Sequence, residues 1–442
     1  MAVRTLDRSA WSISSPLHNK LAPEDRAVHA WYRFVLSFPP HLVRTYLDEF
    51  GLGEDSCVLD PFCGTGTTLV EAKKHGIRSI GIEANPMAAL ASATKVDWGV
   101  DADALLAEAE KIAKAVTTEL RSIDLASYST VGVSERRSLF GLLDLDAEAS
   151  QLLLADSISA LPLHRSLVLL DLIANAPLRL QGHMKVALAW TLVNDAGNIR
   201  FGPEVGITAP KTDADVVGSW LGQIGRMASD LREVGDRAGV SAHVILGDSR
   251  SINGQITPNS VDAIITSPPY PNEKDYTRTT RLESVVLGLI KNKSELRALK
   301  QHLLRSNTRN VYVNDDDDLH AEDIAEVQRI AAEIEAKRIE LGKTSGFERL
   351  YHRVTKLYFG GMAKHFKEMS TLLKPGAHLA YVVGDQASYL RIMIRTGILL
   401  EEVARMQGYE VVRRDLFRTR WATATKEHIN EEVVILRWKG GI

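Results

Sequence analysis

Cys57-Val58-Leu59-Asp60-Pro61-Phe62-Cys63-Gly64-Thr65-Gly66-Thr67-Thr68 decides the class of this chain. Cys57, Val58 and Leu59 read as a short buried strand, the two glycines as a turn, and residues 67–75 as a helix. Gly76 closes that helix, and residues 79–83 read as the next strand. A strand, a helix and a second strand in this order predict a parallel α/β sheet. Glycines in the turn let the backbone approach a ligand closely, and the helix N-terminus offers free N–H groups. Glu83 ends the second strand, at the separation where an acidic residue grips ribose hydroxyls in nucleotide-binding β-α-β units. The turn lacks Gly-x-x-x-x-Gly-Lys, which argues against a triphosphate loop, and Leu69 stands where a dinucleotide turn would carry its third glycine.

The rest of the chain supports a large α/β unit. With 442 residues, 45% hydrophobic and 25% charged, it can bury a sizeable core, which excludes a largely disordered or collagen-like protein. Lys+Arg 53 against Asp+Glu 56 leaves a net charge of -3, so any nucleic-acid contact must come from a local basic surface. Cys57 and Cys63 are the only cysteines, too few for a disulfide framework or a four-cysteine zinc site, and they suit a reducing cytosol. The 13 histidines show no ligand-like spacing, so no metal is expected. Neither a signal peptide nor a membrane-spanning run is legible, and the expected location is cytoplasmic.

Residues 31–38 are aromatic and apolar, and 41–50 read as a helix. Between about 102 and 240 the pattern turns helical, over 104–120, 150–172 and 220–237, with a Gly/Pro-containing stretch at 197–210. The strand rhythm returns at 244–246 and 261–265. A polar interruption then covers about 273–345, including Asn314-Asp315-Asp316-Asp317-Asp318, which reads as a solvated loop or the approach to a helix at 324–339 rather than as a metal site. Residues 366–373 read as a helix, Lys374-Pro375-Gly376 as a turn, 379–383 as a strand and 392–407 as a helix. A closing strand pair is expected at 410–414 and 433–438.

The second chemical motif is Thr266-Ser267-Pro268-Pro269-Tyr270, directly after the strand at 261–265. Two prolines fix the backbone and remove two donors. Carbonyls, a hydroxyl and an aromatic face are left at the carboxyl end of the sheet, where open α/β folds bind ligands.

Together, DPFCGTGTT and TSPPY resemble the amino-group DNA methyltransferases, the family that methylates exocyclic N4 of cytosine or N6 of adenine with S-adenosylmethionine. Three further stretches resemble family motifs in the right order. Ser37-Phe38-Pro39-Pro40-His41 is similar to the segment lying against the methionine end of the cofactor, Gly81-Ile82-Glu83-Ala84-Asn85-Pro86 to the acidic ribose motif, and Gly247-Asp248-Ser249 to the motif that reads the adenine ring. The match covers about half the chain; the two interruptions match nothing.

The resemblance implies a class I, Rossmann-like α/β methyltransferase sheet with helices on both faces, plus a mostly helical insertion. Residues 1–100 would supply the N-terminal segment and the cofactor-binding half, and 101–240 the insertion. Residues 241–272 would carry the adenine motif and the TSPPY loop, 273–345 a target-recognition segment, and 346–442 the remaining core with its closing hairpin. Phe38, Pro39, Asp60, Phe62, Gly64, Gly66 and Thr67 would surround the methionine portion, Glu83 and Ala84 the ribose, and Asp248 and Ser249 the adenine.

Ser267, Pro268, Pro269 and Tyr270 would carry the chemistry. The lone pair of an exocyclic amine is delocalised into its ring. Accepting hydrogen bonds from it, through the Ser267 hydroxyl and the Pro268 carbonyl, localises that lone pair, so catalysis works by positioning. Tyr270 offers a face for a base that must leave the duplex stack. Methylation at cytosine C5 would need a thiol just after a proline, and neither cysteine sits that way.

Serine at the first motif position is nearer to the N4-cytosine subgroup than to the Asp/Asn-Pro-Pro-Tyr adenine enzymes; N6-adenine and an RNA base on the same core are the alternatives. Double-stranded DNA is the expected partner, with cognate restriction or phage-defence proteins as the implied setting. Arg278, Arg281, Lys291, Lys293, Arg297, Lys300, Arg305 and Arg309 are candidate phosphate contacts. Arg413, Arg414, Arg418 and Arg420 form a second cationic stretch, and Asn272, Asp275 and Tyr276 are candidates to shape the base pocket.

Overall fold

The computed structural model describes residues 3–5, 21–33, 37–120, 140–202, 204–271, 274–387, 389–422 and 426–441. Its strands are β1 (Val3–Thr5), β2 (Cys57–Asp60), β3 (Arg78–Glu83), β4 (Ile199–Arg200), β5 (Gly206–Ile207), β6 (Ala242–Leu246), β7 (Val261–Thr266), β8 (Leu373–Gly384), β9 (Tyr409–Ala422) and β10 (Glu427–Trp438). The principal helices are α1 (Pro40–Glu49), α2 (Thr67–Lys74), α3 (Pro86–Val96), α4 (Ala102–Leu120), α5 (Ala160–Ala174), α6 (Leu178–Thr191), α7 (Val216–Val234), α8 (Arg281–Val286), α9 (Lys293–His302), α10 (Ala325–Glu340), α11 (Tyr351–Leu372) and α12 (Thr396–Met406).

One eight-stranded sheet runs in the order β1-β9-β10-β8-β7-β2-β3-β6. From β6 through β3, β2 and β7 to β8 every pairing is parallel, and β10 lies antiparallel between β8 and β9. β2 sits near the middle and is buried on both faces, which is why its run of Cys, Val and Leu does not alternate with polar residues. Alternate sheet residues separate two cores. Leu59, Ile264, Leu379, Tyr381 and Val434 pack against α11 and α12, while Val58, Ile265, Ala380, Val433 and Ile435 pack against α1. The expected α/β sheet with helices on both faces is therefore present.

The chain leaves the sheet after β3 and returns at β6 through α4, α5, α6 and α7. These helices share one core with α2 and α3, in which Trp220, Leu169 and Val186 meet Leu69, Val70 and Met87. The expected helical insertion is thus an enlarged crossover built onto the sheet's own helices. Asp230 of α7 also accepts from the Val28 backbone and the Trp31 indole, both at 2.8 Å, and so ties the N-terminal segment to the insertion.

Several boundaries differ from the sequence reading. α3 and α6 were not expected, and the Gly/Pro stretch at 197–210 contains the small β4–β5 hairpin. Lys374-Pro375-Gly376 lies within β8 rather than before it. There the pairing with β7 jumps from Val261↔Leu373 to Ala263↔His378, so the turn is absorbed as a bulge, with Gly376 at φ 90. Residues 392–395 precede α12 because Ile394 bridges back to Gln386.

The acidic run is solvated only in part: Asn314 and Asp316 are exposed, but Asp315 and Asp317 are not. Asp315 pairs with Arg305 at 2.7 Å, and Asp317 bonds Arg250 and, at 2.9 Å, Lys364, all on largely buried carboxylates. The turn can come this close to α11 because residues 360 and 361 are glycines. A Cβ on Gly360 would lie 1.8 Å from the Asp317 carbonyl oxygen.

Candidate active site

β3 and β6 lie on one side of β2, and β7 lies on the other, so the crossovers diverge where β2 meets β7. At such a switch point the carboxyl ends of parallel strands open a crevice. The four sequence motifs follow the ends of β2, β3, β6 and β7, and a cavity of about 270 Å³ lies there.

Gly64 and Gly66 take positive φ, 51° and 85°, turning the chain from β2 into α2. At Gly66 a side chain is excluded twice, because a Cβ would also lie 2.7 Å from the Ser92 hydroxyl. Asp60 is fully buried behind this turn. Its Oδ1 accepts from the Thr266 hydroxyl at 2.6 Å and the Phe62 N–H at 3.2 Å, which ties the ends of β2 and β7 together. Among the described residues its Oδ2 has no hydrogen-bond partner, and burial lifts the carboxyl to about 6.

Glu83 accepts from the Gly64 N–H at 2.9 Å and the Asn85 N–H at 2.7 Å, which fixes the acid across the glycine turn. Burial lifts its carboxyl to about 7 against those two bonds. Asp248 is gripped by Arg250, with Nη2 2.6 Å from Oδ2. His365 sits behind this region, its ring 4.8 Å from Phe62 and its Nε2 2.6 Å from the Tyr381 hydroxyl.

The Ser267 hydroxyl donates to the Val382 carbonyl at 3.1 Å. Tyr270 follows, its backbone N–H 3.4 Å from the Tyr276 hydroxyl. Burial, reinforced by nearby Glu431, pushes the Tyr270 phenol well up, so it stays neutral. Glu431 is itself held by Arg418 at 2.6 Å. Cys63 is buried and its thiol is pushed up by burial, which suits a small loop residue rather than a nucleophile.

The cavity wall collects Ser267, Pro268, Pro269 and Tyr270, together with Phe38, Phe62, Gly64, Thr67, Glu83, Ala84, Asp248 and Ser249. Pro39, Asp60 and Gly66 are not on the wall. Pro39 caps α1, and Asp60 and Gly66 shape the turn from behind.

Of the candidate phosphate contacts, three are committed within the fold: Arg281 to the Thr277 hydroxyl at 2.8 Å, Lys300 to Asp275 at 2.9 Å and Arg305 to Asp315. Arg297 lies over the Tyr312 ring, Lys293 bonds the Gln151 side chain, and Arg278 and Arg309 both approach Glu204. Lys291 is exposed. Arg413 and Arg414 are likewise paired, with Asp415 and Glu432. Asn272 and the Arg420 side chain lie outside the described residues. Tyr276 reaches the cavity, whereas Asp275 is spent on Thr277 and Lys300.

The sequence reading missed the wall supplied by the interruptions. Val193 and Phe201 come from the insertion, and Leu303, Leu304, Ser306 and Asn310 from the segment after α9. No periodicity marks these positions. Among the described residues, no group of three or more His, Cys, Asp or Glu is arranged to hold a metal ion, and no helix is long and apolar enough to cross a membrane.

Comparison with known proteins agrees with this geometry. A family model described as DNA methylase matches residues 8–93, which include the glycine turn and Glu83. The chain is similar to the Type II methyltransferase M.BsoBI of Geobacillus stearothermophilus, 26% identical over 437 residues, spanning 89% of this chain and 80% of that protein. It is also similar to the Type II methyltransferase M.AvaI of Nostoc sp., 31% identical over 159 residues, spanning 34% of this chain and 31% of the relative. The Type II methyltransferase M.MjaII of Methanocaldococcus jannaschii is 39% identical over a shorter stretch of 70 residues, 16% of this chain and 13% of its own.

The residues present fit S-adenosylmethionine: on one cavity wall stand an acid at the end of β3, the backbone of the Gly64 turn that it holds, and Asp248 and Ser249 at the end of β6. With its motifs brought to one cavity and these similarities along its length, the chain is similar to the N6/N4-type DNA methylases, and the methyl donor this implies is S-adenosylmethionine.

Proposed function

We propose that this protein transfers a methyl group from S-adenosylmethionine to exocyclic N4 of cytosine in duplex DNA, on a base extruded into the cavity. One observation carries the reading. The Ser267 hydroxyl can donate to the Val382 carbonyl and still offer a lone pair to an incoming amine, on the same wall as Glu83 and Gly64.

When bound, S-adenosylmethionine supplies an electrophilic methyl group on its sulfonium. Glu83 would hold the ribose hydroxyls, Asp248 the adenine amino group, and the glycine turn the methionine end. Ser267 and the Pro268 carbonyl would accept from the target amine and draw it towards tetrahedral geometry, so that its lone pair localises at nitrogen. Pro268 and Pro269 keep that carbonyl rigid. Tyr270, neutral and next to the Arg418–Glu431 pair, would stack on the base. The amine's proton leaves to solvent once the N–C bond has formed. That the relatives are called Type II methyltransferases supports a restriction–modification setting, in the cytoplasm.

Incorporation of labelled methyl groups tests this substrate choice. Duplex DNA should be labelled by the wild type and, at equal times, far more slowly by Ser267→Ala. Labelling of structured RNA with none of DNA would reject it.

A further inference from the structure

Buried polar groups in native proteins nearly always have a hydrogen-bond partner, and one left without costs stability. Among the described residues, two such side-chain atoms belong to residues on the cavity wall, Ser306 Oγ and Asn310 Oδ1, and each residue is 1% exposed. An unpartnered hydroxyl and an unpartnered carboxamide oxygen on residues that line a binding cavity are groups that an occupant can satisfy once those side chains turn to meet it.

Their surroundings say which occupant. The 306–310 segment is fastened to the chain just beyond the Ser267–Tyr270 loop, through the Asn307 side-chain N–H on the Lys274 carbonyl at 3.0 Å. Lys300 to Asp275 at 2.9 Å fixes the same neighbourhood. It is also anchored from behind. The Tyr389 hydroxyl donates to the Ser306 carbonyl at 2.9 Å, and Arg305 is locked to Asp315. The backbone that carries both side chains is therefore joined to the loop proposed to hold the target amine, whereas the glycine turn and Glu83 belong to other strand ends.

We infer that Ser306 and Asn310 are specificity-determining residues that read the hydrogen-bonding edge of the extruded nucleobase. A hydroxyl can donate to a ring nitrogen or carbonyl oxygen, and a carboxamide can donate or accept, so the pair complements the heteroatoms beside the exocyclic amine. The inference rests on the methyl-transfer reading proposed above.

The test compares Ser306→Ala and Asn310→Leu with wild type in steady-state methylation, varying DNA and S-adenosylmethionine separately, alongside thermal denaturation. The expected result is a loss of roughly ten- to a hundredfold in kcat/KM for DNA. KM for S-adenosylmethionine should be unchanged, and Tm equal to or above that of the wild type, because removing an unsatisfied buried group does not weaken the fold.

Three results would overturn it: unchanged DNA kinetics, a changed KM for S-adenosylmethionine alone, or a fall in Tm that tracks the activity. A wild type active on RNA and inactive on DNA would reject the substrate reading instead, and the same variants on RNA would decide the pocket. If the wild type methylates neither polymer, both fall.

Discussion

Arg250 holds the carboxylate of Asp248 from three directions: Nε 2.9 Å from Oδ1, Nη2 2.6 Å from Oδ2, and its own backbone N–H 2.9 Å from Oδ1. Through Nη1 it bonds Asp317, and through Nη2 it also donates to the Gln301 carbonyl at 3.3 Å. One buried guanidinium thus joins the acid proposed to meet the cofactor's adenine to the segment that walls the target side. Two carboxylates pull its proton affinity up against the effect of burial.

Arg250→Met should therefore destabilise the protein by about 3–5 kcal/mol, since it strands Asp248 and leaves Asp317 only Lys364. Urea denaturation measures this. An unchanged midpoint would mean that the pair contributes little.

Close approach of the 317–321 turn to α11 makes a second prediction. Gly360→Ala must push the Asp317 carbonyl away and should cost about 1–3 kcal/mol. Gly225→Ala, within α7 and with nothing within 4 Å of its added Cβ, should be neutral or stabilising by up to about 1 kcal/mol. Thermal melts of the two variants side by side test the contrast, and equal shifts would refute it.

Glu83 links cofactor affinity to pH. With its carboxyl near 7 in the free protein, it is mostly protonated at pH 6 and mostly ionised at pH 8. Ribose hydroxyls donate to the ionised form, so binding favours proton release, and affinity should rise roughly tenfold between those pH values. Calorimetry at several pH values should show the rise in the wild type and a flat profile for Glu83→Gln. A wild-type affinity that falls with pH would contradict this assignment.

Ser267→Ala should lower kcat by roughly 10²–10³ while leaving S-adenosylmethionine binding intact, because the lost contact is to the reacting amine. Single-turnover rates and cofactor titration separate the two. A weakened cofactor Kd with unchanged turnover would place Ser267 on the wrong side of the cavity.

The core of this fold was legible because its signals are local. Val58 and Leu59, Gly64 and Gly66, and Glu83 lie within one strand–turn–helix–strand unit whose chemistry is set by neighbours in sequence. The acidic run misled for the opposite reason. Asp315 and Asp317 look solvated until Arg305, Arg250 and Lys364 arrive from elsewhere in the chain. Cations such as Lys300 and Arg305 likewise resembled a phosphate-binding set, because composition cannot show that Asp275 and Asp315 neutralise them. Ser306 and Asn310 carried no signal at all, since what marks them is burial without a partner.

The most direct test of the account is the identity of the methylated nucleoside. Purified protein is incubated with S-adenosylmethionine and mixed genomic DNA, the DNA is digested, and the nucleosides are resolved by mass spectrometry. The account predicts N4-methylcytosine, formed far more slowly when Ser267→Ala replaces the wild type. N6-methyladenine would keep the amine mechanism but contradict the reading of Ser267, and the absence of any added methyl group would contradict the account as a whole.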